Sequence, residues 1–147
     1  MVQAPNRLPV SDLVMTATVL IVEDEIFVAL DLERILTDAG YRVKAIAADR
    51  STAIREADEC SFALVDINLR DGPTGPVLAE TLARDYGMKV VFVTANPAQI
   101  GDGSTALGYV RKPFSEQSIL AAAALACAAE ARPANDELVL LSEVSSG

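Results

Sequence analysis

The chain has 147 residues, 51% of them hydrophobic and 22% charged, which suits one globular domain with a substantial core. Twelve basic against twenty-one acidic residues give a formal charge of −9 with no Lys/Arg-rich run, which argues against a nucleic-acid or anionic-membrane surface. Histidine is absent, which excludes His-based acid/base catalysis, His metal sites and a phosphohistidine of the chain's own.

Residues 1–16 are rich in Pro and polar side chains and lack the charged-then-apolar order of a secretory signal. They read as a flexible extension, and Met15, directly before the first strand, is a candidate start of translation. The body of the domain is expected over 17–130. TATVLIV (Thr16 to Val22) reads as a strand and Glu25 to Ala39 as a helix whose apolar stripe is Ile26, Leu30, Leu32, Ile35 and Leu36, stopped by Gly40. Tyr41 to Ala47 alternates as a second strand, Ser51 to Glu59 is helical, and FALVD, ending on Asp66, is a third strand. A helix follows over roughly Gly75 to Asp85, then a fourth strand from Lys89 to Ala95 and a short fifth from Gly108 to Val110. Pro97, Gly101 and Gly103 disfavour a regular helix between them, since Pro costs about 3 kcal/mol and Gly about 1 within a helix. The fourth helix is therefore expected to be short or irregular. Ser115 is the expected N-cap of a last helix through SILAAAALACAA. Residues 131–147 form an acidic tail whose apolar patch, Leu138 to Leu141, either docks on a partner or folds back.

Cys60 and Cys127 lack the spacing of a metal or redox motif and read as buried, inert thiols. No apolar run approaches the roughly 20 residues of a membrane span, so a cytoplasmic location is expected.

Five continuous apolar strands alternating with helices predict a doubly wound α/β fold with a parallel sheet of order 2-1-3-4-5. In such sheets ligands bind beyond the carboxyl ends of the strands, where the order reverses. Glu23, Asp24, Asp66, Thr94 and Lys112 all fall at such ends. Like charges about 4 Å apart repel by roughly 4 kcal/mol at an effective dielectric near 20, so clustered acids call for a proton or a cation. Mg²⁺ suits a few carboxylates, waters and a phosphate oxygen. With Lys112 and Thr94 alongside, the set fits phosphoryl transfer onto Asp66 as nucleophile. Plainer roles stay open at this point: Asp66 as a turn or cap residue, Glu23 to Glu25 as acids at a helix N-terminus, Thr94 as a strand residue and Lys112-Pro113 as a turn.

LIVEDE, ALVDINL, VFVTA and YVRKPF, in this order, resemble the receiver domain of two-component response regulators over about residues 17–130. The resemblance implies a CheY-like (βα)₅ sandwich in which Asp66 is the phosphoacceptor. It makes Asp24 and Asp66 direct Mg²⁺ ligands, with Asn68 contributing its backbone carbonyl and Glu23 acting through water. Thr94 and Lys112 would hold the phosphoryl group, and Tyr109 would be the aromatic that swings inward with Thr94; a plain core role for Tyr109 stays open. Asn68 and Asn96 flank the site and are candidates for setting the phosphoryl lifetime. The shortened segment after Thr94 and the loop RDGPTG depart from the usual pattern and look most like single-domain receivers that accompany atypical bacterial sensor kinases.

By the same resemblance the chain is a stand-alone response regulator and phosphoprotein of a bacterial phosphorelay. A sensor histidine kinase or histidine phosphotransfer protein supplies the phosphoryl group, since the chain has no His. Output passes through protein contacts, or the protein drains phosphate from a shared kinase, as a monomer or a weak phosphorylation-dependent dimer. It is expected to catalyse only its own phosphorylation and dephosphorylation. Three rivals stand: an aspartate-nucleophile phosphatase, for which Asn68 is the wrong residue as general acid; a flavodoxin-like nucleotide or flavin binder, opposed by the acidic EDE after strand one; and a partner-binding receiver not switched by phosphorylation.

Overall fold

The computed structural model describes residues 17–101, 104–127 and 137–141. The expectations for residues 1–16, Gly103 and the remainder of the tail lie outside them. Six strands, β1 (Thr18–Val22), β2 (Arg42–Ala47), β3 (Phe62–Val65), β4 (Lys89–Thr94), β5 (Gly108–Arg111) and β6 (Leu138–Leu140), form one sheet of order β2-β1-β3-β4-β5-β6. The first five pair in parallel, in the predicted order. β6 pairs antiparallel with β5, so the LVLL patch folds back and adds an edge strand.

β3 is buried along its whole length and β1 along all but its first residue, which is why neither alternates in polarity. Successive side chains still point to opposite faces. Leu20, Val22, Ala63 and Val65 join Leu78 and Leu82 of α3 (Gly75–Tyr86) in one core cluster. Val19, Ile21, Phe62 and Leu64 join Leu32 and Leu36 of α1 (Ile26–Asp38) and Ile119 of α4 (Glu116–Cys127) in the other.

The predicted stripe on α1 needs correction. Ala29, Leu32, Ile35 and Leu36 are its buried residues, whereas Ile26 and Leu30 are exposed and Phe27 is 84% exposed. The small Ala29 takes the inward position that residue type alone assigned to its larger neighbours. α2 (Arg50–Arg55) begins with Asp49 Oδ1 accepting from the Thr52 amide at 2.9 Å and stops short of Glu59, which adopts a left-handed φ of 68° in the turn before β3. One 3₁₀ turn, Pro97–Ile100, occupies the fourth helical position, as its Pro and Gly content predicts. Ser115 caps α4, its Oγ accepting from the Ser118 amide at 3.0 Å. Cys60 is buried and Cys127 half-buried, and burial pushes both thiols up and away from reactivity. Among the described residues no helix is long and apolar enough to cross a membrane.

Candidate functional site

Backbone pairing carries the polar residues just past the strand ends into one place. The Glu23 amide donates to Ala47 O at 2.8 Å, that of Asp66 to Val22 O at 2.9 Å and that of Lys112 to Thr94 O at 3.0 Å. The carboxyl ends of β1, β3, β4 and β5 therefore stay in register for one more residue, and Glu23, Asp66, Thr94 and Lys112 converge there. Asp24 joins them from the exposed side, its carboxylate and those of Glu23 and Asp66 offering ligand atoms within 4.8 Å of one another.

Lys112 ties the acids together. Its Nζ lies 3.0 Å from Asp66 Oδ2, 2.9 Å from Glu23 Oε1 and 3.2 Å from Glu25 Oε1. Burial alone would lower the ammonium's pKa, but its close contacts with the Glu23 and Asp66 carboxylates overcome it and hold Lys112 above its ordinary value. Glu23 is 2% exposed. Its burial, with the charge of Asp66, outweighs the attraction of Lys112 and pushes its carboxyl up to about 7.

Asp66 anchors its other oxygen locally, Oδ1 accepting from the Ile67 amide at 2.7 Å. α3 presses against the backbone behind it. A Cβ on Gly75 would stand 2.2 Å from Asp66 O and 2.6 Å from Ile67 Cα, so only glycine lets the helix start so close. Thr94 is wholly buried and its Oγ1 accepts from the Asn96 amide at 2.9 Å. Asn68, two residues after Asp66, donates its side-chain amide to Gln99 Oε1 at 3.0 Å, joining the acceptor loop to the 3₁₀ turn. Tyr109 is set two residues back from the carboxyl end of β5, half-buried between Phe92 of β4 and Val139 of β6.

Glu23, Asp24 and Asp66 with the Lys112 ammonium leave a net charge near −2 when all are ionised, and Glu25, against the same ammonium, adds a further negative charge. Glu23 Oε1 is buried beside Lys112 without an aligned hydrogen bond. An all-oxygen set with that surplus and an underused buried oxygen fits a hard divalent cation.

Reading by sequence found Glu23, Asp24, Asp66, Thr94 and Lys112, and the structure brings all five together. It did not find the pairing of Glu25 with Lys112, the cradle at Gly75, the Gln99 partner of Asn68, or the exposed apolar rim of Ile26, Phe27 and Leu30. Phe27 lines a shallow cleft with Lys112, Pro113 and Phe114, so it borders the site.

Residues 19–124 match the family model for the response regulator receiver domain. The chain is 31% identical over 112 residues to the phyllosphere-induced regulator PhyR of Methylorubrum extorquens, a match covering 73% of this chain and 42% of that protein. It thus spans about two fifths of that relative's length. Among solved structures, the receiver domain of Erythrobacter litoralis PhyR superposes with a TM-score of 0.69 at 28% identity, covering 82% of this chain and 96% of that one. A doubly substituted form of the anti-anti-sigma factor PhyR of Bartonella quintana gives 0.64 at 26% identity over 79% of this chain and 51% of that one. A CheY-like receiver protein of Methanospirillum hungatei gives 0.60 at 29% identity, covering 71% and 87%.

Proposed function

We propose that this chain, which belongs to the response regulator receiver family, accepts a phosphoryl group on Asp66 from a partner's phosphohistidine and acts as a receiver in a cytoplasmic phosphorelay. A carboxylate oxygen of Asp66 attacks phosphorus, the P–N bond to the donor imidazole breaks, and its electron pair returns to the ring nitrogen. The observation that carries this reading is the Lys112 ammonium, held against Asp66 and Glu23 where the acceptor carboxylate emerges from the core. There it can pair with a phosphoryl oxygen, and Thr94 has a hydroxyl proton still to donate.

Mg²⁺ is the cation we assign, held by Asp24, Asp66 and the Asn68 carbonyl with Glu23 acting through water; when bound it would neutralise charge developing on the phosphoryl oxygens. The chain's own residues do the rest. Ile67 N and Lys112 orient the carboxylate, and the apolar strands around it exclude water from its base. Phe27, exposed beside Pro113 and Phe114, and the exposed Ile26 and Leu30 of the same helix offer apolar surface suited to a helical donor. The chain acts on no external substrate in this reading. The Asn68 amide, engaged by Gln99, offers no acid for a phosphatase's leaving group.

Output goes through protein contacts or by draining phosphate from a shared donor. The B. quintana relative is described as an anti-anti-sigma factor, and this chain aligns with 51% of it, so a sigma-factor-related partner is the output contact its likeness suggests.

Incubation with Mg²⁺ and acetyl phosphate or phosphoramidate, followed by intact mass, tests the assignment. A gain of about 80 Da that Asp66→Asn abolishes is expected. No gain from small donors or from histidine kinases with and without Mg²⁺ would overturn it.

A further inference from the structure

The edge of β5 is not left open, and the strand that closes it is neither part of the βα repeat nor used by the phosphoryl site. Residues 138–140 pair antiparallel with β5, Gly108 opposite Leu140, Tyr109 opposite Val139 and Val110 opposite Leu138. The fit is specific. A Cβ on Gly108 would stand 2.1 Å from Val139 O, so the β5 edge is cut to take a backbone at that point. Leu138 is buried in the cluster that contains Ile119 and Ala122, the Leu141 amide donates to Leu107 O at 3.0 Å, and Ser115 Oγ donates to Glu137.

We propose that β6 is an exchangeable edge strand: the β5 edge holds residues 137–141 of its own chain in the monomer and those of a second copy in a symmetric dimer.

Three features carry the choice of a second copy as the alternative occupant. First, an identical segment makes identical contacts, so exchange keeps every interior contact of β6 and its balance is set by protein concentration. Second, the covalent connection does not forbid exchange. α4 is described to Cys127 and the chain resumes at Glu137, and the nine intervening residues can span about 30 Å when extended. Third, β6 pairs through only three residues at a sheet edge, which places its opening at the low end of the local stabilities in a domain. An exposed edge accepts an added strand through backbone hydrogen bonds and selects it by alternate side chains. Here the Gly108 notch and the Leu138 position do the selecting. Lys112, Glu137 and Val139 line one cleft, so exchange takes place beside the acceptor site without requiring any chemistry there.

The test uses the unphosphorylated full chain in sedimentation equilibrium from micromolar to millimolar concentration, with a labelled peptide of residues 136–142 followed by fluorescence anisotropy. A concentration-dependent dimer is expected, which the peptide dissociates. Gly108→Val should abolish both dimer and peptide binding. Leu138→Asp, which weakens the chain's own strand, should bind the peptide about tenfold tighter than the unsubstituted chain. Circular dichroism establishes that both variants fold. A full chain that stays monomeric at every concentration and ignores the peptide overturns the proposal, as does a dimer that survives Gly108→Val unchanged. Phosphoryl uptake at Asp66 is measured separately and bears on neither result.

Discussion

Lys112 Nζ donates to Asp66 Oδ2 at 3.0 Å, joining the first residue after β5 to the first after β3 across 46 positions of sequence. The two side chains are 13% and 8% exposed, so the pair lies in a poorly solvated rim where each charge depends on the other. The same nitrogen faces Glu23 and Glu25, which makes Lys112 the counter-charge for a whole acidic cluster.

Removing it should therefore expose a repulsion that a cation relieves. Lys112→Ala is expected to cost about 3 kcal/mol of stability at pH 8 without divalent cation, the usual scale for breaking a buried pair. Saturating Mg²⁺ should recover most of that loss by binding the folded acids. Urea denaturation with and without Mg²⁺ measures both, and an equal loss in the two conditions would contradict the account. Phosphoryl uptake should fall at least about tenfold even where stability is restored.

The pH dependence follows from Glu23. Its folded value of about 7 lies above its ordinary 4.5, so the folded protein holds more protons between those values. Its contribution to stability is largest below about 4.5, falls as pH rises through that window and is flat above about 7. Asp66 adds to the upward push, while Lys112 and the Glu25 amide oppose it. Metal binding must displace that proton, so Mg²⁺ should release close to one proton per ion at pH 6 and almost none at pH 8. Calorimetry in buffers of different ionisation enthalpy counts them. Glu23→Gln should abolish the release; a release unchanged in that variant would remove Glu23 from the site.

Among the candidate site residues, Glu23, Asp66 and Thr94 were legible because each closes an apolar run at a strand end, where a plain core residue would be cheaper, and Asp24 and Lys112 because they follow directly on such an end. The order of the five parallel strands was legible from the βα alternation. Other features depend on tertiary placement that residue type does not encode. Ile26 and Leu30 count as apolar whether they face the core or a partner, and Ala29, the residue turned inward, carries little signal. Gly75 and Gly108 look like ordinary loop and strand glycines until the backbone they admit is seen. Gln99 reveals its role only through Asn68, 31 positions away. β6 is a three-residue strand whose existence rests on the edge it meets.

Gly75 allows a direct test of how closely the acceptor backbone is packed. In Gly75→Ala the new methyl would meet Asp66 O and Ile67 Cα at distances no carbon tolerates, so α3 or the acceptor loop must retreat. A stability loss of about 2 to 3 kcal/mol is expected, within the range for overpacking a rigid contact. Because the retreat moves Asp66 relative to Lys112, phosphoryl uptake should slow beyond what unfolding explains. Urea midpoints and uptake rates on the folded fraction separate the two effects. A variant as stable as the parent would show that the loop yields freely.

The segment after Thr94 should report on the state of Asp66. Thr94 Oγ1 accepts from the Asn96 amide, and Gln99, three residues on, accepts from Asn68 in the acceptor loop. Two hydrogen bonds thus connect the 3₁₀ turn to the site from either side. A phosphoryl group adds about −1.5 to −2 of charge and draws the Thr94 hydroxyl and Lys112 toward it, so the backbone attached to Thr94 must follow. Amide exchange over residues 96–108 is expected to slow with a phosphoryl mimic and Mg²⁺. Thr94→Ala, which deletes the acceptor of the Asn96 amide, should speed exchange there in the unphosphorylated protein and remove the response to the mimic. Gln99→Ala should weaken the response while leaving Thr94's contact in place. Equal protection with and without the mimic in the unsubstituted chain would mean that the acceptor and this segment are not coupled.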